Sequence, residues 1–453
     1  MAIVGISVTM LSSCHIYNKF DMPKDNVLAQ EYVQARDAEL DTTTFGNLKW
    51  QKVFTDPVLA DLINQALENN VNLQNAKLNV DIAHAQLKGA KLSYLPSVAL
   101  APNGAYASYA GSDFVGTYQL PMAVSWEIDI FGKLLNTKRG AKAAVLQSEA
   151  YQQAVRSQVI AGVANCYYAI ATLQQQLDLS RQTAENWRQS VEVMKNLKLA
   201  GRTNEAAVVQ STANYYSILA SITDLEVALD AANNTMSLLL NVMPQKWNIP
   251  ASAMLNIPAP EIIRNGVPMI ELAARPDIRA AEQSVAVAYY ATNQARAAFY
   301  PGLTISANGG FTNMLGSIIT NPGDFFVQLA GSLTAPLFAR GANIARLEAT
   351  RAQQKQAMNN FEQALLSASA EVSDAMLVYG KSAEKADLLA LQVENLTKSV
   401  EYTQELLSLG TATYLEVLNA QTSLLSAQMS QLSCQQSKAQ AVINLYQSLG
   451  GGR

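Results

Sequence analysis

The sequence predicts a mainly α-helical chain that also carries strands of a β-barrel, the whole built from two copies of one unit. Three observations predict it. First, "PSVALAPNGAY" at residues 96–106 returns as "PGLTISANGGF" at 301–311, pairing Pro96 with Pro301, Asn103 with Asn308, Gly104 with Gly309 and Tyr106 with Phe311 at a constant offset of 205. Second, several stretches alternate apolar and polar residues with a period of two, the mark of strands. Third, residues 133–199 and 342–409 contain no proline and keep apolar residues at alternating steps of four and three, the seam of a coiled coil.

The bulk composition narrows the function classes. The chain has 453 residues, 49% of them hydrophobic, and a net charge of −4. No basic cluster stands out along the chain, which argues against a nucleic-acid partner. The histidines are His15 and His84 and the cysteines Cys14, Cys166 and Cys434, with no pair at ligand spacing, so no zinc site is expected. No apolar run reaches the roughly 18 residues of a membrane-spanning helix. That leaves a β-barrel open, since its strands carry a much weaker signal.

The elements follow in chain order. "MAIVGISVTMLSSC" is a short apolar segment ending Leu11-Ser12-Ser13-Cys14. It looks like a bacterial lipobox without its basic leader, with 1–13 as signal segment and an acylated Cys14 opening the mature chain. His15, rather than an aspartate, follows the cysteine, which by resemblance to known lipoproteins favours the outer membrane. Residues 14–57 read as an extended N-terminal segment, and 58–243 as the first repeat: a lead-in helix over 59–95, a β-hairpin over 98–130 and a helical hairpin over 133–243. The proline-rich "MPQKWNIPASAMLNIPAP" makes 244–268 a linker. Residues 269–453 form the second repeat, with a lead-in helix over 269–299, a β-hairpin over 302–338 and a helical hairpin over 342–449.

Within the hairpins the alternation is explicit. Tyr118, Leu120, Met122, Val124, Trp126, Ile128 and Ile130 alternate with Gln119, Ala123, Ser125, Glu127 and Asp129. Leu303, Ile305, Ala307, Gly309 and Phe311 do so in the second copy, as do Phe325, Val327, Leu329, Gly331, Leu333 and Leu337. The stretch from Val98 is the least regular. Glycine-rich "SYAGSDFVGT" and "TNMLGSIITNPGD" join each pair. In the long helices the seam runs through Cys166, Ile170, Leu173, Leu177, Ser180, Ala184, Trp187, Val191, Met194 and Lys198, and again through Met358, Phe361, Leu365, Ala368, Val372, Ala375 and Tyr379. Helices of this length reach roughly 100 Å. Gly201 and Gly410 end them, so the helical hairpins turn there.

The duplication extends further. "VNLQNA" (71–76) matches "PDIRAA" (276–281), "SWEIDIFGK" (125–133) matches "SLTAPLFAR" (332–340), and "KLAGRTNEAAVVQ" (198–210) matches "LSLGTATYLEVLN" (407–419). A period near 200 residues is too long for a solenoid and marks a duplicated architecture. Four strands cannot close a barrel, for which about eight is the smallest workable number. An open sheet in lipid would leave edge amides without partners. Several copies of the chain must therefore pool their strands.

Taken together, the lipobox, the duplicated strand and helix hairpins, "WEIDIFGK", the turn motif "LGTATYLEVLNAQTSLLSAQ" and the closing "INLYQSLGGG" resemble the TolC-type outer-membrane efflux factors. They are most similar to the lipoprotein branch that serves resistance-nodulation-division pumps. The resemblance implies a homotrimer with four strands per chain in a 12-stranded β-barrel set in outer-membrane lipid, and a coiled-coil α-helical barrel through the periplasm. It implies a periplasmic adaptor protein and an inner-membrane resistance-nodulation-division pump as partners, no nucleic acid, no cofactor beyond the lipid on Cys14, and a passive gated conduit for small molecules rather than an enzyme.

Site residues carry over position by position. A periplasmic gate of inward side chains falls at Glu416 and Asn419, one turn apart on one helix face. Three carboxylates facing across a narrow lumen would resist joint ionisation and draw cations to the mouth. Asn419 replaces the aspartate usual at the second position, and the tyrosine and arginine that tether other members fall at Leu407 and Ala412. The turns at Gly201, Arg202, Gly410 and Thr411 resemble the tips that contact the adaptor, and the glycines also read simply as helix C-caps. Cys166 and Cys434 differ by roughly 16 Å in height along the helices, too far to pair. His84 reads as a structural or surface residue. No nucleophile–base pair, phosphate loop or metal cluster is present in the pattern. Two readings stand beside the conduit: the exit duct of a type I protein-secretion system, and a lipid-anchored coiled-coil scaffold without a pore. The transported substrate is set by the pump and is not legible here.

Overall fold

The computed structural model describes residues 17–23, 27–38, 45–108, 113–250, 269–313 and 324–452. Cys14, His15 and the signal segment lie outside the described residues, as do 251–268 of the linker and the tips of both strand hairpins.

The chain opens with α1 (Val27–Arg36), a short turn of 3-10 helix at Phe45–Asn47, and α2 (Trp50–Val53). The segment read as extended thus contains helices. The lead-in helix then comes as two pieces, α3 (Pro57–Asn69) and α4 (Val71–Leu92). Asp56 starts α3 as an N-cap, its Oδ1 accepting from the amides of Val58 and Leu59, with Pro57 at the first helical position. The break falls at Asn70, whose backbone is extended (φ −62°, ψ 123°) and whose Oδ1 accepts from the Leu73 amide at 3.1 Å to cap α4. A single lead-in helix over 59–95 is corrected accordingly.

After the strands β1 (Ser97–Leu100), β2 (Asn103–Ala107) and β3 (Val115–Ile128), the chain continues as α5 (Lys133–Leu199) and returns as α6 (Glu205–Leu239). The second lead-in is also split, into α7 (Met269–Ala274) and α8 (Pro276–Ala297), because Pro276 disfavours helical backbone at Arg275. "VNLQNA" and "PDIRAA", matched as sequence, therefore both open a helix after a break. Strands β4 (Gly302–Thr312) and β5 (Asp324–Thr334), then α9 (Ala342–Ser408) and α10 (Tyr414–Ser448), complete the chain. The strands end earlier than the hairpin spans 98–130 and 302–338, at Ile128 and Thr334. Among the described residues no helix is long and apolar enough to cross a membrane.

One antiparallel sheet takes strands from both repeats in the order β1-β3-β4-β5, with β2 also on β3. β1 and β2 continue one another along β3: Leu100 pairs with Met122 and Asn103 with Gln119. The interruption falls on Pro102 and Pro121, neither of which has an amide to give the ladder; only Ala101 N reaches across, to Pro121 O at 3.0 Å. This is the physical cause of the irregular first strand. Gly310 faces Pro121, and a Cβ there would collide with the Leu120 carbonyl oxygen, so this close approach needs glycine.

The register sorts the side chains. Leu120, Phe311 and Phe325 form one row across β3, β4 and β5; Met122, Gly309 and Val327 form the next; then come Val124, Ala307 and Leu329, then Trp126, Ile305 and Gly331, then Ile128, Leu303 and Leu333. Val98 and Leu100 extend the apolar rows onto β1. The intervening rows hold Ala123, Asn308 and Gln328, then Ser125, Ser306 and Ala330, then Glu127, Thr304 and Ser332. The apolar face runs about 27 Å along β3, close to the ~25 Å band of a membrane barrel. It is bare in the single chain: Phe325, Val327, Leu329 and Leu333 are 68%, 65%, 77% and 66% exposed.

The chain gathers into two compact units, and each draws on both repeats. One comprises the sheet with residues 78–150 and 279–363 and the N-terminal segment. There Tyr17 packs on Gly132, whose φ of +69° places it in the left-handed region, while Arg139 Nη1 donates to the Tyr17 carbonyl at 3.1 Å. Phe20 N donates to the Tyr290 hydroxyl at 3.0 Å.

The other unit comprises 31–77, 151–278 and 364–452. Its core packs Trp50, Phe54, Leu59 and Ile63 on Ile160, Val163, Tyr167 and Ile170, with Met236, Leu240, Ile443 and Tyr446. Much of the expected seam is buried here: Cys166, Ile170, Leu177, Ser180, Ala184, Trp187, Val191 and Met194 on α5, and Leu365, Ala368, Val372 and Ala375 on α9. Cys166 and Cys434 are free and buried, as the helix heights require, and burial pushes Cys166 up to about 11. In the first unit, His84 lies exposed on α4, 3.7 Å from Glu149. The "LGGG" end is built into the core: Tyr446 donates to Leu48 O at 2.7 Å and accepts from Gly452 N at 2.9 Å.

A buried pair fixes the α3 cap. The Tyr167 hydroxyl, fully buried, donates to Asp56 Oδ2 at 3.0 Å, and burial with the adjacent carboxylate pushes its pKa far up. Tyr167→Phe keeps the ring packing but leaves a buried carboxylate oxygen without its donor. It is expected to cost about 1–3 kcal/mol in denaturant unfolding.

Candidate functional site at the helical tips

Both helical hairpins turn by the same device. In the first, Gly201 N donates to Lys198 O at 3.0 Å and Arg202 N to Leu197 O at 2.9 Å. In the second, Gly410 N donates to Leu407 O and Thr411 N to Leu406 O, each at 3.0 Å. These are Schellman motifs, and the glycines sit at φ +70° and +76°, where a side chain would strain the backbone. Asn204 then caps α6, its Oδ1 accepting from Ala207 N at 3.0 Å, while Lys198 pairs with Glu205 across the turn. Gly201, Arg202, Gly410 and Thr411 are all exposed.

The fold brings the two turns onto one groove of about 610 Å³, lined by Arg202, Thr203 and Asn204 from the first and by Leu407, Ala412, Thr413 and Tyr414 from the second. Leu407 and Ala412 thus line the same groove as Arg202, presenting an aliphatic side chain and a methyl to it. Tyr414, which lies in the turn motif but was given no role there, lines this groove, and burial raises its pKa. Its signal in the sequence is that motif, at the start of a return helix directly before Leu415 and Glu416.

Glu416 and Asn419 are exposed on α10, whereas Val417, Leu418 and Ala420 are buried. The two candidate gate residues therefore share the face that α10 turns away from its own chain. Glu416 also starts the helix, its Oε2 accepting from Thr413 N at 2.7 Å as the return half of a capping box. The spelling Thr413-x-x-Glu416 announces that box. A single carboxylate is thus available to cap the helix with one oxygen while its charge remains at the surface of the turn.

Comparison with known proteins bears on the chain as a whole. The chain matches the family described as "Outer membrane efflux protein" over residues 62–242 and 267–451, one span for each repeat. It is 28% identical over 409 residues to "Probable outer membrane lipoprotein SilC" of Salmonella typhimurium, covering 89% of this chain and 88% of that one. It is 25% identical over 455 residues to "Cation efflux system protein CusC" of Escherichia coli strain K12, covering 99% and 98%. Among solved structures, the outer-membrane channel OprN superposes with a TM-score of 0.84 at 25% identity, covering 97% of this chain and 99% of that one. The open state of the MtrE outer membrane channel of Neisseria gonorrhoeae likewise gives 0.84 at 25% identity, covering 97% and 98%. Two family spans that fall on the two repeats, and a fold shared nearly end to end with outer-membrane channels, lead to one assignment: the chain belongs to the outer membrane efflux protein family.

Proposed function

We propose that this outer-membrane efflux protein works as a passive, gated conduit in a tripartite system. Three copies pool their strands into a 12-stranded barrel, and their helices continue as a periplasmic tube whose tips meet an adaptor and a resistance-nodulation-division pump. The observation that carries this reading is the sheet. Its apolar face is continuous across β1, β3, β4 and β5, and its two outer strands have no further partner among the described residues. In lipid such edges demand pairing with another copy. Apolar side chains left bare on the helices, among them Leu377, Leu388, Leu391 and Leu406, suit lateral packing in a ring. No catalytic step is part of this role. The scaffold reading leaves the apolar sheet without a use, while a type I protein-secretion duct would share the same architecture.

The lipid anchor belongs to the same proposal. Cys14 precedes Tyr17 by three residues, a reach of about 11 Å, and Tyr17 is held against Gly132 and Arg139 beside the strands. An acylated Cys14 would enter the membrane next to the sheet. The transported class follows the pump; relatives carry names for cations, solvents and toluene.

Conductance in planar bilayers tests the conduit: purified protein of trimer mass should give channels, and a scaffold gives no current. The gate has its own test. Glu416→Gln keeps an acceptor for Thr413 N but removes the ring of charge, and is expected to lower cation over anion selectivity measured by reversal potential. Asn419→Asp adds a second acidic ring and is expected to raise it. Unchanged selectivity in both variants would place these side chains off the ion path.

A further inference from the structure

We propose that the base of the sheet carries a basic collar that binds phosphate headgroups of anionic glycerophospholipids in the periplasmic leaflet of the outer membrane. The proposal rests on the reading of the sheet as a membrane-inserted stave and adds the lipid class that meets its lower rim. The sequence shows no long basic run, because the cations come from two segments that the fold brings together. α4 ends with Lys88 and Lys91 just before the strands, and α5 starts just after them with Lys133, Lys138, Arg139 and Lys142. Ala83 and Leu87 of α4 pack on Val145 and Ala141 of α5, so the two helices run side by side below the sheet.

Neither 84–92 nor 133–142 contains an aspartate or glutamate, although the whole chain carries a net −4. Lys88, Lys91, Lys138 and Lys142 are exposed, and none forms an ion pair with a carboxylate among the described residues. Lys133 is already paired with Glu127 at 2.8 Å, and Arg139 holds the Tyr17 and Asn18 carbonyls, so four cations remain open to an outside anion. Gathering like charges costs free energy unless an anion supplies the counter-charge. The second repeat keeps cations at two of the same places, Arg340 matching Lys133 and Arg346 matching Arg139 at an offset of 207.

The neighbours specify what kind of anion. Phe131 stacks on Tyr300, with ring centroids 4.9 Å apart, and Trp126 donates from its indole to Tyr94 O at 2.9 Å. Lys138 lies 5.6 Å from the centre of the Tyr94 ring. Amphipathic rings of this kind settle at the headgroup level of a bilayer, directly beyond an apolar band. Lys138 thus stands beside these rings at the base of the sheet, and Lys88, Lys91 and Lys142 lie within about 15 Å of the strand-side ends of α4 and α5. A headgroup phosphate fits that position, because lysines beside an anionic surface each attract it independently.

The test uses the full-length assembled protein, equilibrated with mixed vesicles of equal phosphatidylglycerol and phosphatidylcholine, then analysed by native mass spectrometry for retained lipid. Wild type should retain phosphatidylglycerol preferentially, and the preference should fall as salt rises. The quadruple variant Lys88→Gln, Lys91→Gln, Lys138→Gln and Lys142→Gln should lose it, by roughly fivefold for each lysine removed. A control that neutralises Lys381, Lys385, Lys398 and Lys438, with the same change in charge, should keep it. Absence of preference in wild type, or a preference that survives in the quadruple variant, overturns the collar. Planar-bilayer conductance of the same preparations separates the failures: channels without lipid preference reject the collar alone, whereas no channels at all reject the inserted sheet.

Discussion

Arg275→Met is expected to lower stability by about 2–4 kcal/mol in denaturant unfolding and to broaden or split the transition. Arg275 sits in the break between α7 and α8, with its side chain 7% exposed. Its Nη2 donates to Asp277 Oδ2 and to Glu371 Oε2, each at 2.7 Å, its Nε to Asp277 Oδ1 at 3.1 Å, and its Nη1 to the Ser448 carbonyl at 2.7 Å. One guanidinium thus ties a lead-in helix, the long helix α9 and the end of α10 together. Methionine fills much of the volume but leaves the Ser448 carbonyl without a donor and two carboxylates facing each other. Those carboxylates are about half exposed and can rehydrate, which keeps the loss below that of a fully buried pair. Arg275→Lys should recover only part of it, since an ammonium cannot supply the planar fork. Glu371→Gln should cost least, removing one half-exposed charge while keeping an acceptor. A loss for Arg275→Met no larger than that for the isosteric Glu371→Gln would mean that the hydrogen-bonded fork does not set the stability here.

Such a residue shows where a sequence stops being readable. Asp277, two residues on, is a partner that the local pattern "ARPD" contains, but the other two lie 96 and 173 residues away, and nothing in that pattern announces the burial they bring. The seam of α5 was legible because a heptad repeats itself: from Cys166 to Met194 each apolar step reinforces the last. The turns at Gly201 and Gly410 were legible because a left-handed C-cap has few spellings. The strand faces were legible because the period of two continues through Leu120 to Ile128. The breaks were harder. Asn70 interrupts a helical pattern without a proline, using its side chain to cap α4, and Pro102 and Pro121 lie far apart in sequence while marking one gap in the ladder. At the tips, Glu416 was identified by its place in a motif; that it also caps α10 is written in the same four residues. The basic collar needed the fold, since α4 and α5 are separated by the strands of the first hairpin.

Leu329→Arg is expected to abolish channel insertion, whereas Gln328→Arg, one residue away, should leave assembly intact. Leu329 lies in the middle apolar row with Val124 and Ala307, and Gln328 lies in the polar row with Ala123 and Asn308. An arginine at the midplane of a lipid-facing barrel wall costs about 2–4 kcal/mol. In the proposed trimer that cost would be incurred three times in one cooperative insertion step, enough to shift the equilibrium from membrane to aqueous or detergent-bound protein. On the other face an arginine points to water, where its charge is solvated, and should instead move the open-channel selectivity toward anions. The two variants carry the same charge and differ only in which side of the pleat they occupy. Membrane flotation and planar-bilayer current therefore read the facing of the sheet directly. If Leu329→Arg floats and conducts as wild type while Gln328→Arg fails, the apolar rows line something other than lipid, and the barrel wall has been assigned inside out.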